Sequence, residues 1–464
     1  MNTVLEVGYL LTAVLFIMGV MRLRSPATAR SGNLTAASGM VIAFIVTVLR
    51  YHSYSWLLIG VTIIVGAFVG TYAAKKVRMT AMPQMVALFN GMGGGAASLI
   101  SIGALHSSWS HGISTPGSSI SALLTILIGS ISFTGSLLAF IKLQELITGR
   151  PITFGAQKLL NGILLALAVV LGIAMAISGG SHDFLVLTIY VIISAVLGVL
   201  VVLPIGGADM PVVISLLNAF TGLAAAATGF LLTNNVLIIA GALVGASGTI
   251  LTQAMSRAMN RPIQNILFGA FGKVAAGGGG GTVGDADGVV QTATVEDVAT
   301  ILAYSRNVVV VPGYGLAVAR AQQEVRQLME KLGQRGVTVR FGIHPVAGRM
   351  PGHMNVLLAE ADVPYDSLFE MDAINPQFPQ TDVVLVIGAN DVTNPAARNQ
   401  PGSPLYGMPI LNVDQAQRVI VLKRSMNPGF AGIDNPLYIN PKTSMLFGDA
   451  KASLTRLLRE LDEV

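Results

Sequence analysis

Nine long apolar stretches occupy the first 256 residues and limit what this chain can fold into. A bilayer core about 30 Å thick is crossed by roughly 20 apolar residues in a helix. The stretches lie at about 4–21, 34–51, 55–74, 83–106, 119–141, 157–178, 184–203, 209–232 and 235–256. The pattern predicts a polytopic α-helical membrane domain of about nine spans over residues 1–256.

Acidic residues divide the chain into two parts. Those before residue 257 are Glu6, Glu145, Asp183 and Asp209. After Asp285 carboxylates become frequent and long apolar runs stop. We therefore expect a soluble domain at 296–464, joined to the membrane domain by a hinge and flexible linker at 257–295. The glycine run at 277–281 within that linker cannot bury a core.

Basic residues in the short loops predict the orientation of the spans. Lysine and arginine occur in the first, third and fifth loops, for example at Arg22, Lys75 and Lys142, whereas the loops at 106–117 and 178–183 carry none. By the positive-inside rule, the N-terminus is outside and the soluble domain is cytosolic. The small net charge of +5 does not indicate nucleic-acid binding, and the absence of cysteine excludes disulfides and thiolate metal sites.

Three polar side chains fall within the predicted spans: Asn90, Asp209 and Asn218. Polar groups are costly in a membrane and often mark a pathway. Asp209, however, also fits the N-cap of a helix that has Pro211 in its first turn. Buried asparagines often do no more than hydrogen-bond between helices, and the many small residues near Asn90 suit close packing. Structural packing and a hydrated proton path are both open interpretations.

Alternating strand and helix patterns follow residue 296. Short apolar runs at 308–311, 337–343, 383–387, 409–413, 419–422 and 444–447 predict strands, and a closing helix is expected from about 450 to 461. This βαβ order is typical of a Rossmann-like, doubly wound parallel sheet.

The first of these strands leads into Gly313-x-Gly315-x-x-Val318, which opens a helix. Free N–H groups and the helix dipole at such a turn can receive a pyrophosphate. The third glycine of the usual pattern is valine here, so a purely structural turn is the alternative.

The strand ends favour one nucleotide over another. The strand at 337–343 ends without the acid that usually binds a ribose 2′-hydroxyl. A later strand ends in Lys423-Arg424-Ser425, which suits a 2′-phosphate and favours NADP(H) over a merely solvated basic strand end. The chain shows no second nucleotide fingerprint, so a bound NADP(H) either exchanges hydride with another chain or acts as a regulatory ligand.

Several strings of residues together resemble one known family. They are GYGLAVA at 313–319, HPVAGRMPGHMNV at 344–356, GAND at 388–391, KRSMN at 423–427, GDAK at 448–451, MPQMVALFN at 82–90 and GGADMPVV at 206–213. Over essentially its whole length the chain resembles the β subunit of proton-translocating NAD(P) transhydrogenase.

The resemblance implies an activity and its partners. NADP(H) held here would exchange hydride with NAD(H) on a partner α subunit of one or two polypeptides. Proton movement across the membrane would be coupled to this transfer and drive NADPH formation. The resemblance also implies a bacterial inner-membrane protein, assembled as a dimer of αβ units.

The resemblance further implies the site residues. The cofactor-binding residues are Tyr314, Val346, Ala347, Gly348, Arg349, Met350, Pro351, Gly388, Ala389, Asn390, Asp391, Val392, Gly407, Met408, Lys423, Arg424, Ser425, Met426, Asn427, Pro428, Gly429, Phe430, Asp449 and Ala450. Asp391 and Tyr314 are the catalytic candidates, with Asp391 sensing the proton state at the nucleotide. Arg257 and Arg261 would form the hinge, and no metal site is implied.

The proton path implied by the resemblance contains Asn90, Asp209 and Asn218. Some members of the family have histidine at the position of Asn90, and asparagine cannot titrate. Two other functions compete with the transhydrogenase reading: an NADP(H)-gated transporter or channel, and an NADP-dependent membrane reductase for a quinone or lipid. No flavin or haem ligand pattern in the sequence supports the reductase.

Overall fold

The chain forms two compact units, of which the first contains the described residues up to Gln253 together with Ile263, and the second contains the other described residues. The computed structural model describes residues 2–464 apart from 24, 51–54, 78–80, 112–114, 145, 149–150, 179–183, 207–208, 260–262, 264–289, 349–351, 402, 404 and 430. Most of the predicted linker and the predicted hinge residue Arg261 therefore lie outside the described residues. The domain boundaries at 256 and 295 stay predictions.

Nine helices among the described residues are long and apolar enough to cross a membrane. They are α1 (Asn2–Arg22), α2 (Pro26–Arg50), α3 (Trp56–Lys76), α4 (Met82–Ser110), α5 (Pro116–Leu143), α6 (Gln157–Ile177), α7 (Phe184–Val202), α8 (Met210–Leu231) and α9 (Asn235–Ala258). Each corresponds to one predicted stretch, so the polytopic helical architecture is confirmed.

Capping side chains mark where some of these helices begin, and small residues allow neighbouring helices to pack closely. The Thr115 side chain accepts a hydrogen bond from the Ser118 N–H at 3.2 Å, which caps the first turn of α5. Farther along α5, a Cβ added to Gly129 would lie 2.7 Å from the carbonyl oxygen of Gly94 in α4. Only glycine allows this approach, so the small residues here serve close packing of two membrane helices.

The second unit contains a seven-stranded parallel sheet. Its strands are β1 (Gln291–Thr292), β2 (Asn307–Pro312), β3 (Thr338–Ile343), β4 (Leu368–Glu370), β5 (Val383–Ile387), β6 (Arg418–Lys423) and β7 (Thr443–Phe447). The order across the sheet is β1-β7-β6-β5-β2-β3-β4. Without the edge strand β1, this is the order of a Rossmann sheet, and the strand order reverses between β2 and β5.

Helices connect the strands. They are α10 (Val295–Ala303), α11 (Tyr314–Ala319), α12 (Gln322–Gln334), α13 (His353–Glu360), α14 (Met371–Ile374), α15 (Ala396–Asn399) and α16 (Ala450–Glu463). Thr294 and Asp297 cap the first turn of α10 reciprocally. The central strands form the core, since every residue of β5 is buried. These features confirm the Rossmann-like fold.

One predicted strand is wrong. Residues 409–413 form a partly buried loop, because their backbone groups bond to the Asn375 side chain and to the Val392 carbonyl instead of a neighbouring strand. The Asn375 amide donates to the Ile410 carbonyl at 3.0 Å and accepts from the Asn412 N–H at 3.1 Å. Leu411 and Val413 nevertheless have no exposed surface, so their apolar character reflects burial in the core.

Candidate functional site

The loops that follow β2 and β5 touch at the point where the strand order reverses. The Gly313 N–H donates to the Ile387 carbonyl at 2.9 Å, and the Gly315 N–H donates to the Gly388 carbonyl at 3.0 Å. Gly388 has φ +65°, and a Cβ added there would lie 2.4 Å from the Gly315 Cα. The N–H groups of Gly313 and Gly315 are therefore not free for a pyrophosphate, because these glycines serve the close approach of two backbones; binding of a pyrophosphate at this turn stays a prediction.

A cavity of about 420 Å³ opens beside this crossing, at the carboxyl edge of the sheet. Helix α11, the loops after β5, β6 and β7 and the start of α16 form its walls. The residues lining it are Gly315, Val318, Ala319, Gly388, Ala389, Asn390, Leu422, Lys423, Arg424, Ser425, Asn427, Pro428, Gly448, Asp449 and Ala450. Ligands of open α/β sheets bind at such an edge, near the switch point.

Two cations and a hydroxyl stand at the end of β6. Lys423 is half-buried, whereas Arg424 and Ser425 are exposed. The Lys423 ammonium donates to the Asn427 carbonyl at 2.5 Å. Burial lowers the pKa of Lys423, while the nearby Asp391 and Asp434 carboxylates act in the opposite direction. The cavity therefore presents positive charge that is only partly balanced by neighbouring acids.

Asn390 lies at the rim of the cavity in a network of polar side chains. Its amide group is 2.8 Å from the Tyr438 hydroxyl, and its backbone carbonyl accepts from the Asn435 amide at 3.2 Å. When the amide oxygen is turned toward Lys423, it accepts from the Gly429 N–H at 2.7 Å and from the Lys423 ammonium at 3.3 Å. The network ties the loop after β5 to the loop after β6.

Asp391 holds the far side of the β6 loop. Its Oδ2 accepts from the Ala431 N–H at 3.0 Å. A Cβ added to Gly429 would lie 2.4 Å from Asp391 Oδ1, so the loop backbone rests directly on the carboxylate. The charge of Asp391 is thereby linked to the position of the segment around Gly429.

Asp449 caps α16 at the opposite wall. Its Oδ1 accepts from the Lys451 N–H at 3.1 Å and from the Ala452 N–H at 3.2 Å. Because this carboxylate already satisfies the helix N-terminus, an anion is better received by the cations at the end of β6.

A small apolar cluster and a buried histidine support the loop after β3. Val346 and Val392 both pack against a cluster of buried residues that contains Met408. His344 Nδ1 accepts from the Val346 N–H at 3.2 Å, and its Nε2 donates to the Pro409 carbonyl at 2.8 Å. Burial lowers the pKa of His344 to about 4, so the ring is neutral near pH 7.

Comparisons with known proteins agree along the whole chain. A sequence model of the family described as "NAD(P) transhydrogenase beta subunit" matches residues 5–460. Two curated relatives from Rhodospirillum rubrum, one of them from a named strain, are called NAD(P) transhydrogenase subunit beta. Each is 47% identical over 466 aligned residues, which cover 98% of this chain and 98% of the relative.

This chain belongs to the NAD(P) transhydrogenase β-subunit family. It is therefore a membrane-bound enzyme subunit that acts with nicotinamide nucleotides and with an α subunit. The comparisons support this reading and not the gated transporter or channel.

The transhydrogenase fold brings ten of the 24 predicted cofactor residues to the cavity, from the loops after β5 and β6 and from the start of α16. Val346 and Val392 instead pack against the apolar cluster that contains Met408. Tyr314 begins α11 next to Gly315 but does not line the cavity. The predicted residues Arg349, Met350, Pro351 and Phe430 lie outside the described residues.

Other predicted cofactor residues lie in the loops near the cavity without lining it. Ala347 is buried, and Gly348 has φ +103°. Gly407 has φ +83°, and its N–H donates to the Ala397 carbonyl at 2.8 Å. Met426 is exposed beside Ser425.

The residues assigned to the cofactor did not include Ala319, Leu422 and Gly448, which line the cavity, and Gly315 and Val318 were singled out only as part of the glycine fingerprint. The assignment also omitted Tyr438 and Asn435, which hold Asn390. A signal existed for Ala319 and Gly448, since both lie in the strings that carry the resemblance, whereas Leu422 lies just before one of them. Tyr438 gave none, because it lies outside every motif and near the middle of a buried segment.

In the membrane helices, Asn90 forms a cluster with hydroxyl side chains of α5 and α8. Its amide nitrogen donates to the Ser136 hydroxyl at 2.9 Å and to the Ser132 hydroxyl at 3.4 Å. Ser132 lies 2.6 Å from the Thr221 hydroxyl. The Asn90 cluster, consisting of Asn90, Ser132, Ser136 and Thr221, contains no ionisable side chain.

The two other predicted proton-path residues lie along α8. Asp209 occupies the N-cap position of α8, but its side chain does not bond to the first-turn N–H groups. Asn218 directly follows Leu217, whose carbonyl accepts from Ser132 at 2.9 Å. The nine positions from Asp209 to Asn218 span about 13 Å of helix, so these residues do not form one compact group.

Proposed function

We propose that this subunit holds NADP(H) in the cavity and exchanges hydride with NAD(H) on the α subunit. The observation that carries the proposal is the end of β6, where Lys423, Arg424 and Ser425 form one wall of the cavity. Two cations and a hydroxyl match a 2′-phosphate, which NADP(H) has and NAD(H) lacks. The other residues assigned to the cofactor are those implied by the family resemblance.

When bound, NADP(H) supplies the nicotinamide ring that carries the hydride. Lys423 and Arg424 bind the 2′-phosphate through charge-assisted hydrogen bonds, and Asn390 orients the nucleotide at the rim. Direct hydride transfer requires no side chain to donate or remove a proton at the ring. The contribution of the protein is to bring two rings together in a fixed geometry.

We assign Asp391 and Tyr314 to the catalytic step as groups at the edge of the nucleotide site. Protonation of Asp391 would weaken its hydrogen bond from Ala431 and its attraction for Lys423. Proton arrival would thereby loosen Gly429, which directly follows the cavity-lining residues Asn427 and Pro428. Tyr314 stands beside the contact between Gly315 and Gly388 and would transmit a movement of those loops to the ring.

Coupling to the membrane gives the reaction its direction. One charge that crosses 100 mV releases about 2.3 kcal/mol, which shifts an equilibrium about fiftyfold. We place the proton path at Asn90, Asp209 and Asn218, with Asn90 ordering hydrogen bonds instead of carrying a proton. Arg257 and Arg261 would relay the change at the membrane exit.

We further propose that the subunit lies in a bacterial inner membrane and assembles as a dimer of αβ units. Arg22, Lys75 and Lys142 lie at helix ends that the positive-inside rule places on the cytosolic side. This orientation puts the N-terminus in the periplasm and residues 296–464 in the cytosol, where the α subunit can reach the cavity.

The test is hydride exchange between NADPH and an NAD⁺ analogue, measured with the full chain and a separately produced α subunit. Replacing Lys423 and Arg424 together by Ala should weaken the apparent affinity for NADPH on the order of a hundredfold, because two charge-assisted contacts are lost. Lys331→Ala is the matched control, since Lys331 pairs with Asp462 away from the cavity. Equal affinity in the double variant and the control would refute the proposal.

A further inference from the structure

Tyr438 is a buried aromatic residue with its polar end at the nucleotide cavity. It lies in the 3₁₀ turn Pro436–Ile439, which precedes β7, and is only 2% exposed. Its ring belongs to the core beneath the sheet, together with residues such as Phe378 and Leu437. Its hydroxyl lies 2.8 Å from the Asn390 amide, and burial raises its pKa, so the hydroxyl stays protonated at neutral pH.

The face of the same ring supports Lys423. The Lys423 ammonium lies 4.7 Å from the ring centre, which is the geometry of a cation–π contact. A lysine side chain has several rotatable bonds, and two carboxylates, Asp391 and Asp434, attract this ammonium. The ring therefore favours one position of the ammonium, at the wall of the cavity, over positions closer to the acids.

The hydroxyl of Tyr438 acts on the second rim residue. Asn390 lies in the loop after β5. The side-chain amide of Asn435, three residues before Tyr438, donates to the Asn390 backbone carbonyl at 3.2 Å. The Asn435 side chain in turn accepts from the Leu437 N–H at 3.0 Å, which fixes the turn that carries Tyr438. One short turn thus positions both Lys423 and Asn390.

We propose that Tyr438 is a positioning residue for the nucleotide: its ring holds the Lys423 ammonium at the cavity and so sets the preference for a 2′-phosphate, and its hydroxyl holds the Asn390 amide and so slows release of the nucleotide. The inference rests on the proposed binding of NADP(H) in this cavity. Tyr438 itself contacts the core, Lys423 and Asn390, and acts on the ligand through the last two.

The test compares binding of 2′-AMP and 5′-AMP to the purified full chain in detergent, since the two probes differ in the position of the phosphate. Tyr438→Leu removes ring and hydroxyl and should lower the preference for 2′-AMP about tenfold. Phe378→Leu is the matched control, because it truncates a fully buried ring of the same core. It should lower thermal stability to a similar degree and leave the preference within about twofold of the wild type.

Two further measurements separate positioning from simple core packing. Tyr438→Phe keeps the ring and should keep the preference, while losing the bond to Asn390 should speed release of NADP⁺ about fivefold. In a Lys423→Ala background, Tyr438→Leu should change the preference no further, since the ring sets the preference through Lys423 and that side chain is gone.

The inference is overturned if the preference for 2′-AMP over 5′-AMP in Tyr438→Leu equals that in Phe378→Leu. Should Tyr438→Leu bind neither probe, Tyr438→Phe decides, and wild-type release of NADP⁺ from that variant contradicts the inference. A wild-type chain that binds 2′-AMP and 5′-AMP equally would instead contradict the proposed function, because the cavity would then not recognise a 2′-phosphate.

Discussion

Asn90 in the membrane helices and Asn390 at the nucleotide cavity stand in two different kinds of polar network. Asn90 bonds to the hydroxyls of Ser132 and Ser136, which are neutral side chains on a neighbouring helix. Asn390 lies among Tyr438, Asn435 and the charged Lys423. The first network can pass hydrogen bonds along but holds no charge, whereas the second gathers titratable groups around a ligand site.

On the proposed function, this difference assigns proton movement and nucleotide binding to two chemically different networks. A neutral cluster in the membrane avoids the large cost of an isolated charge in lipid. The cavity can hold Lys423 and Asp391 because loops, solvent and backbone groups surround them. We infer that protons pass through the membrane helices by ordered hydrogen bonds and exert their effect on nucleotide binding through charged residues of the cavity.

The largest expected effect comes from the backbone crossing that shapes the cavity. Gly388→Ala places a Cβ at φ +65° against Gly315 and should destabilise the nucleotide unit by about 4 kcal/mol, with loss of NADP⁺ binding. Gly336→Ala is the matched control, since Gly336 has φ +80° and open space around it. It should cost about 1 kcal/mol. Thermal unfolding with and without NADP⁺ measures both, and equal losses would show that the crossing does not matter.

The next effect uses the pKa of His344. The pKa falls from 6.5 to about 4 on folding, so between these values the unfolded chain binds a proton that the folded chain does not. Stability should therefore fall as the pH drops below 6.5, by about 2 kcal/mol at pH 5. Unfolding measured from pH 7.5 to pH 5 should show a smaller loss in His344→Gln, which has no ring to protonate. If the wild type and His344→Gln lose the same stability between pH 7.5 and pH 5, His344 is not held neutral by burial.

A membrane counterpart tests close packing without charge. Gly129→Ala directs a methyl group at the Gly94 carbonyl and should lower the stability of the helices by about 2 kcal/mol. Gly103→Ala, on α4 with nothing within 4 Å, should leave the thermal transition in detergent unchanged or slightly raised. Close packing at Gly129 is contradicted if Gly129→Ala and Gly103→Ala both unfold at the same temperature as the wild type.

The smallest effect separates the two asparagine networks most sharply. Asn90→Leu removes the bonds to Ser132 and Ser136 and should slow proton-coupled hydride transfer in vesicles about tenfold, while NADP⁺ affinity stays unchanged. Asn161→Leu is the control, because Asn161 donates to the Leu200 carbonyl outside the Asn90 cluster. Full proton-coupled activity in Asn90→Leu would show that the Asn90 cluster is not part of the proton path.

Long, repeated patterns made the architecture predictable from sequence. Nine apolar stretches and the buried runs of β2 and β5 each carry many residues of one chemical type, so helices and central strands are identified without knowledge of their neighbours. Short elements lack this redundancy. Strands β1 and β4, with two and three residues, were not predicted. The run at 409–413 was taken as a strand, because a partly buried loop tied by Asn375 is equally apolar.

Residues of the candidate site could be predicted from sequence where charged side chains indicate a ligand. They could not be predicted where their place in the site depends on contacts between distant parts of the chain. Lys423, Arg424 and Ser425 stand out because two cations and a hydroxyl end a strand. The bonds from Gly313 and Gly315 to the β5 loop depend on which strand lies next to β2, and the sequence alone does not show that pairing. The same reason hid Tyr438, which reaches Lys423 and Asn390 only through the fold.

The central claim is that the cavity receives the 2′-phosphate of NADP(H) at the end of β6. An experimental structure of the αβ complex with NADP⁺ tests it most directly. The account predicts phosphate oxygens about 3 Å from the Lys423 ammonium and the Ser425 hydroxyl, with the Arg424 guanidinium beside them. A 2′-phosphate bound instead at the turn after β2, with the end of β6 open to solvent, would contradict it.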